Sequence, residues 1–328
     1  MSPRYDEYDV ESYDRPRRHT RPRTKERPSY DDAVDGRVVT VDRGRYTTLV
    51  DGRTVLAMKS RPLGRKGVVV GDEVRLVGDV SGDEGTLARI VEVGERRTAL
   101  RRTADDDDPV ERVIVANADQ LVVVTALADP APRTGLIDRA LVAAYDARLD
   151  PLLCLTKSDL AAPDGLLATY RALDVPYVVT HRGGDLTALH DRLEGRVSVL
   201  LGHSGVGKST LVNALVPGSD RAIGHVNAVT GRGRHTSTSA LMLALPSDDG
   251  WIVDTPGIRS FGLAHVQPST LINAFPDLAS VTDSCPRGCT HASGEPECGL
   301  DEAVAERRTD PDRVESFRRL LDSREQPV

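Results

Sequence analysis

The sequence predicts a multidomain protein: an N-terminal β-barrel, a central α/β domain and a mainly helical C-terminal segment. Three observations predict it. Between about 34 and 100, short β-rich runs are separated by Gly and Asp. From about 120 to 253, apolar runs alternate with helix-like stretches. Beyond about 268, helical stretches are interrupted by cysteines and a histidine. The 328 residues suit two or three domains at roughly 100–200 residues each, and 39% hydrophobic with 28% charged residues is enough for real cores.

Residues 1–33 are rich in Arg, Asp, Pro and Tyr without apolar periodicity, which predicts a disordered, charged tail. Its basic stretch from Arg15 to Arg27 reads either as a solvated tail or as a phosphate contact. Residues 34–104 carry five β-rich runs: Gly36–Val41, Tyr46–Val50, Thr54–Ala57, Asp72–Val77 and Leu87–Val93. Asp51-Gly52 between two of them is a hairpin signal, and five short strands in this length suit a barrel of the OB type, often used on RNA. Lys59, Arg61, Arg65 and Lys66 in one loop, with Arg96, Arg97, Arg101 and Arg102 at the exit, fit RNA contact and an ordinary charged surface equally. The net charge of −7 shows no global basic excess, so any nucleic-acid face is local.

Residues 105–265, entered through the acidic linker Asp105–Asp108, form the central domain. Apolar runs at Gln120–Ala126, Pro151–Leu155, Pro176–Thr180, Val197–Leu201 and Trp251–Val253 alternate with helical patterns such as Leu136–Arg148 and Leu166–Leu173. That alternation predicts a parallel sheet covered on both faces. Residues 266–328 read as helices around a Cys/His cluster and end in the amphipathic stretch Asp312–Arg324. The charged start excludes a signal peptide, and the longest apolar run, around Leu121–Ala128, is far short of the ~20 residues of a membrane span. A cytoplasmic protein without membrane attachment is expected.

The strongest chemical signal is Gly202-His203-Ser204-Gly205-Val206-Gly207-Lys208-Ser209, a phosphate-binding loop between an apolar strand and a helical pattern that opens with Thr210 and Leu211. Glycines let backbone N–H groups curl around phosphates, Lys208 reaches the β/γ oxygens, and Ser209 ligates Mg²⁺. Asp254-Thr255-Pro256-Gly257 ends a strand in an acid and a tight turn, which suits a Mg²⁺ partner at Asp254 and a γ-phosphate contact at Gly257. Thr156-Lys157-Ser158-Asp159 follows another strand; a carboxylate at Asp159 accepts from the N1–H and amine of guanine, a donor pair adenine lacks, and selects GTP over ATP. In ordinary GTPases the guanine-reading motif comes last, but here it precedes the phosphate loop. The domain is therefore expected to be a circularly permuted P-loop GTPase domain, a rearrangement favoured where termini lie close together. A kinase or ATPase using the same loop is the rival that Asp159 argues against.

Between the two phosphate-side motifs, Gly231-Arg232-Gly233-Arg234-His235-Thr236 suits a mobile switch whose Thr236 hydroxyl completes the Mg²⁺ shell. Ile258 follows Gly257 where a glutamine would orient water, so another group is needed. His235 is the candidate, with a structural or RNA-contacting role as its alternative. Cys285, Cys289, His291 and Cys298 supply four ligands in fourteen positions, sufficient for a closed tetrahedral and therefore structural zinc site, against the reading of reduced cysteines beside a histidine by accident. Cys154, inside an apolar run, reads as a buried small hydrophobe.

Together, TKSD, GHSGVGKS, GRGRHTST, DTPG and the Cys₃His cluster, in that order, resemble the RsgA family of circularly permuted GTPases over about residues 34–322. The resemblance implies an OB domain, a GTPase domain and a zinc domain acting on the small ribosomal subunit late in its maturation. It also implies weak intrinsic GTP hydrolysis that the subunit stimulates, and contacts from the outer domains to ribosomal RNA. A protein docking on one ribosomal surface is most simply a monomer. Three positions depart from the family: Thr156 replaces the usual Asn, Thr180-His181 stands where Ser-Ala is usual, and Cys289 comes one residue early. The alternative function is a non-catalytic platform on rRNA that nucleotide merely locks.

Overall fold

The computed structural model describes residues 30–64, 67–103, 111–218, 240–247, 249–255, 263 and 265–324. Alternating burial builds the barrel. In β1 (Val34–Asp42), β2 (Arg45–Val50), β3 (Arg53–Lys59), β4 (Glu73–Val77) and β5 (Ala88–Val93), residues such as Val38, Tyr46, Val55, Leu76 and Ile90 point into a common core. The strands run in the order β1-β2-β3-β5-β4, and β1–β4 pairing closes the ring. Asp51 and Gly52 both take positive φ in the turn between β2 and β3, as a tight hairpin requires. All five expected strands form, each within about two residues of its expected bounds.

Two strands between the barrel and the central sheet escape sequence reading. β6 (Ala99–Arg102) and β7 (Arg112–Ala116) pair as a hairpin whose connection, including the acidic run 105–108, lies outside the described residues. Both are short and carry arginines, so they lack a clear alternating signal. Leu100 and Val115 nonetheless join Val70 of the barrel wall in the core of the central domain.

The central sheet contains β8 (Gln120–Ala126), β9 (Asp150–Thr156), β10 (Tyr177–Val179), β11 (Val197–Leu201) and β13 (Trp251–Asp254), all parallel, in the order β10-β9-β8-β11-β13. β8 and β11 are buried at every position, as strands covered on both faces must be. Around them lie α1 (Thr134–Asp146), α2 (Asp164–Tyr170), α3 (Thr187–Leu193) and α4 (Lys208–Leu215). Cys154 is fully buried in β9, where burial alone pushes its thiol up to about 12.

The expected all-parallel sheet needs a correction at its far edge. β12 (Leu241–Ala244) pairs antiparallel with β13, and on its other side Thr40 of β1 faces Leu241. Among the described residues one eleven-stranded sheet therefore runs from the central domain into the barrel. β1 serves both halves, because Val38 fills the barrel while Val39 packs against the central core. Asp32 onward is one compact unit by its contacts.

Past the central sheet come α5 (Pro268–Ile272), α6 (Pro276–Ala279), α7 (Gly299–Ala305) and α8 (Pro311–Ser323). Asp310 caps α8 by accepting from the Asp312 N–H at 2.9 Å, and Pro311 sits at its first position. Phe317 stacks edge-on against Phe275 at 5.4 Å, and Phe275 against Tyr145 at 5.1 Å, which seats α8 on α1. Buried Asp138 of α1 meets Arg319 of α8 at 3.2 Å. Among the described residues no helix is long and apolar enough to cross a membrane.

Candidate nucleotide site and metal centre

The carboxyl ends of β11, β9 and β13 converge on a cavity of about 820 Å³. Gly202 opens the phosphate loop where no side chain fits, since a Cβ there would lie 2.6 Å from the Val124 carbonyl oxygen and 2.9 Å from the Val206 side chain. Gly205 and Gly207 hold φ of 87° and 92°, a region glycine enters freely. With those positions satisfied, the chain curls and enters α4 at Lys208. Gly202, His203, Ser204, Gly205 and Gly207 line the cavity, as do Lys208, Ser209 and Thr210. Val206 does not: its side chain is fully buried in the core beneath. His203 Nδ1 lies 2.9 Å from the Ser204 carbonyl oxygen.

Asp254, the last residue of β13, reaches the same cavity and accepts an ion-paired hydrogen bond from the Lys208 ammonium. Next to it, the Thr255 hydroxyl donates to the Leu200 carbonyl at 2.8 Å, tying β13 to β11 where the phosphate loop starts. Ser209 and Asp254, the residues expected to hold Mg²⁺, thus face one space that Lys208 shares. A hydroxyl and a carboxylate are the hard oxygen donors that this cation takes.

Thr156 and Lys157 line the cavity from the end of β9. Lys157 takes a φ of 58°, and its ammonium donates to the Asp129 carbonyl. Ser158 and Asp159 are outside the lining; Asp159 is exposed in the turn that follows, and the Ser158 N–H donates to the Thr180 carbonyl at 3.2 Å. Thr180, His181, Arg182, Gly183 and Gly184 wall the cavity from the loop after β10. Thr180-His181 thus lies beside the TKSD segment; Arg182 and the two glycines are additions that only their place after a parallel strand hinted at. Gly184 lies under His181, whose ring atoms would come within 2.8–3.1 Å of a Cβ. His235, Thr236 and Gly257 lie outside the described residues.

At the other end of the chain, Cys285, Cys289, His291 and Cys298 bring their ligand atoms within 4.8 Å of one another. His291 Nδ1 is 3.6, 3.4 and 3.8 Å from the sulfurs of Cys285, Cys289 and Cys298. In a tetrahedron with Zn–S and Zn–N bonds of ordinary length, the S···N edge is about 3.6 Å. The donor set therefore fits a tetrahedral metal. Burial holds the His291 pKa below its ordinary value against the pull of Glu295, which favours the neutral ring that a metal needs. The Gly299 N–H donates to Cys285 Sγ at 3.1 Å. Arg318 of α8 donates to the His291 carbonyl at 3.1 Å, approaches Cys298 Sγ at 3.8 Å, and pairs with Asp301 through both carboxylate oxygens at 2.7 and 2.8 Å. Sequence reading missed Arg318, because on an amphipathic helix it looks like any solvated charge.

The expected basic exit from the barrel takes a different form. Arg96 donates to both oxygens of fully buried Asp72 at 2.7 and 2.8 Å and to the Gly67 carbonyl at 2.8 Å. Arg97 pairs with Asp119 at 3.3 Å and Arg101 with Glu111 at 3.8 Å. Three of the four arginines are engaged within the protein. Arg61 is exposed in the short 3-10 turn after β3, while Arg65 and Lys66 lie outside the described residues.

The RsgA GTPase family profile matches residues 93–264. The chain is 42% identical to the small ribosomal subunit biogenesis GTPase RsgA of Ectopseudomonas mendocina over 219 residues, which is 64% of this chain and 63% of that protein. The protein of the same description from Pseudomonas aeruginosa is 39% identical over 265 residues, covering 78% of this chain and 76% of that one. Among solved structures, YjeQ from Thermotoga maritima superposes with a TM-score of 0.63 at 27% identity over 90% of this chain and 99% of that chain. YloQ, a circularly permuted GTPase, matches at 0.63 with 22% identity over 92% and 98%, a likeness of fold. The permuted order of TKSD before GHSGVGKS, the cavity that Thr156 and Lys157 share with the phosphate loop and these matches agree: the chain belongs to the RsgA GTPase family.

Proposed function

We propose that this protein hydrolyses GTP on the small ribosomal subunit, to time late maturation of that subunit and its own release. The observation that carries the reading is the single cavity into which Lys208, Ser209, Asp254 and Thr156 converge, in a chain of this family. Phosphate-loop N–H groups and Lys208 take the phosphates, and Ser209 and Asp254 would hold Mg²⁺, which would supply positive charge against the phosphates. Base choice falls to Asp159, exposed in the turn after β9. Thr236 and Gly257 act on the γ-phosphate side and His235 orients water. Cys285, Cys289, His291 and Cys298 hold one structural zinc ion.

The domain partition we adopt is a charged tail at 1–33, a barrel at 34–104, the GTPase domain at 105–265 and the zinc domain at 266–328. Exposed Arg61 beside Lys59 supports ribosomal RNA contact by the barrel. The working form is a cytoplasmic monomer without membrane contact. The test is phosphate release from GTP and from ATP, with and without purified small subunits. GTP turnover that rises with subunits and vanishes in Lys208→Ala and Ser209→Ala is expected. Unchanged turnover in both variants defeats the assignment, flat turnover with tight GTP binding leaves the passive platform, and preference for ATP overturns the role of Asp159.

A further inference from the structure

A second cavity, of about 590 Å³, lies between the start of α1 and one face of α8 and shares no residue with the nucleotide cavity. The face follows the helical repeat: Glu315, Arg318, Arg319 and Asp322 stand at i, i+3, i+4 and i+7. Both arginines are engaged within the protein. Arg318 pairs with Asp301 through both carboxylate oxygens. Arg319 donates to Asp138 at 3.2 Å and to the Thr169 carbonyl at 3.3 Å, and lies over the Tyr170 ring. Glu315 and Asp322 are exposed, and no ion-pair partner for either occurs among the described residues.

Asp138, only 3% exposed, forms part of the cavity wall. Its Oδ2 accepts from Arg319, whereas its Oδ1 is buried without a hydrogen-bond partner among the described residues. The Tyr170 hydroxyl near it gives its one proton to the Thr134 carbonyl at 3.2 Å. Burial pushes the Asp138 carboxyl above its ordinary range against the pull of Arg319, so a single cation does not offset the burial. A buried carboxylate oxygen without a donor is unfavourable, and a ligand that relieves it brings N–H groups and positive charge.

The same charges disfavour nucleic acid. A strand laid along this face would set its phosphates against Glu315, Asp322 and Asp138, with both arginines already paired. Proteins that coat RNA are basic and carry the complementary charge. Glu315 and Asp322 are two helical turns apart, about 10 Å, which is the span of three residues of extended chain.

We propose that this cavity admits an arginine or lysine side chain from a basic, extended protein segment of the small ribosomal subunit. That side chain donates to Asp138 Oδ1, and a second basic residue of the segment meets the α8 carboxylates. The proposal rests on the reading that this protein docks on the small subunit.

The test measures binding to the full-length chain of a glycine-serine peptide with two arginines three residues apart. Its alanine counterpart, spermidine and a single-stranded RNA oligomer are the comparisons, and melting curves accompany each variant. Glu315→Gln combined with Asp322→Asn alters two exposed side chains and should weaken the arginine peptide about fivefold, with GTP and RNA affinity unchanged. Asp138→Asn should weaken it about tenfold; should that variant fail to fold, the double variant decides. The double variant should also bind purified small subunits less tightly, and the difference should shrink at high salt. Equal binding of the alanine peptide, or peptide affinity unchanged in the double variant, overturns the proposal. Complete displacement of the peptide by equimolar spermidine overturns it in favour of a free polyamine, and RNA binding lost in the double variant overturns it in favour of nucleic acid. Subunit affinity that stays constant while peptide affinity falls overturns the choice of partner. Failure of the wild-type chain to bind small subunits at all instead overturns the reading of its function.

Discussion

Arg96 separates a structural charge from an RNA-binding one. Its guanidinium makes three hydrogen bonds of 2.7–2.8 Å, two of them to Asp72, and its own pKa is raised chiefly by that carboxylate. Asp72 is fully buried, and without Arg96 the hydrogen bond left to it among the described residues is the one from the Val69 N–H at 2.8 Å. Removing one partner of a buried pair leaves an uncompensated charge and costs about 3–5 kcal/mol. At roughly 2–4 °C per kcal/mol, Arg96→Met should lower the melting temperature by about 10 °C, measured by calorimetry on the full chain. Adding Asp72→Asn should recover much of the loss, since the orphan charge goes with it. Arg97→Met is the control: its side chain is 63% exposed, and a change within about 0.5 kcal/mol is expected. A melting temperature unchanged in Arg96→Met, with weakened and less salt-sensitive RNA binding, would refute the argument and return Arg96 to the nucleic-acid surface.

Other expectations follow from the same contacts. Phe317→Ala removes a fully buried ring between α8 and α1 and should cost about 3–5 kcal/mol in denaturant unfolding. Arg318→Met should weaken zinc affinity by roughly 10–100-fold in competition with a coloured chelator while leaving all four ligands in place. Hydrogen bonds from Arg313 hold the Asp277 carboxyl below its ordinary range, so this pair stabilises the fold above about pH 4 and the contribution is lost as pH falls through the lowered pKa. Asp277→Asn should therefore flatten the acid side of the stability profile, and an unaltered acid limb would count against the pair. His235→Ala should keep GTP binding and lose subunit-stimulated turnover; full stimulated activity would move water orientation to another residue.

What could be read in advance depended on how local the cause was. β8 and β11 were legible because complete burial writes an unbroken apolar run. The phosphate loop was legible because its glycines, lysine and serine fall at fixed spacing within eight residues, and the Cys₃His cluster because three thiols and an imidazole in fourteen positions have few other uses. β12 was not, since Leu241-Met242-Leu243-Ala244 is short, lacks alternation and becomes a strand through partners on both sides. The partners of Arg96 and Thr156 were hidden for the same reason. Asp72 lies 24 residues from Arg96, and Val206 lies 50 from Thr156. Basicity and motif membership name a side chain but do not say where it points.

The Thr40–Leu241 pairing has a further consequence for how the molecule is made. A ribosome synthesising this chain delivers β1 early and β12 about 200 residues later, a separation of the kind that slows folding. The barrel can close on itself through β4, yet its outer flank stays uncovered for most of that interval. Uncovered strand flanks recruit other chains. A nascent or truncated product ending before β12 should therefore self-associate more readily than the finished protein, and the cell has reason to shield it until Ala244 has emerged.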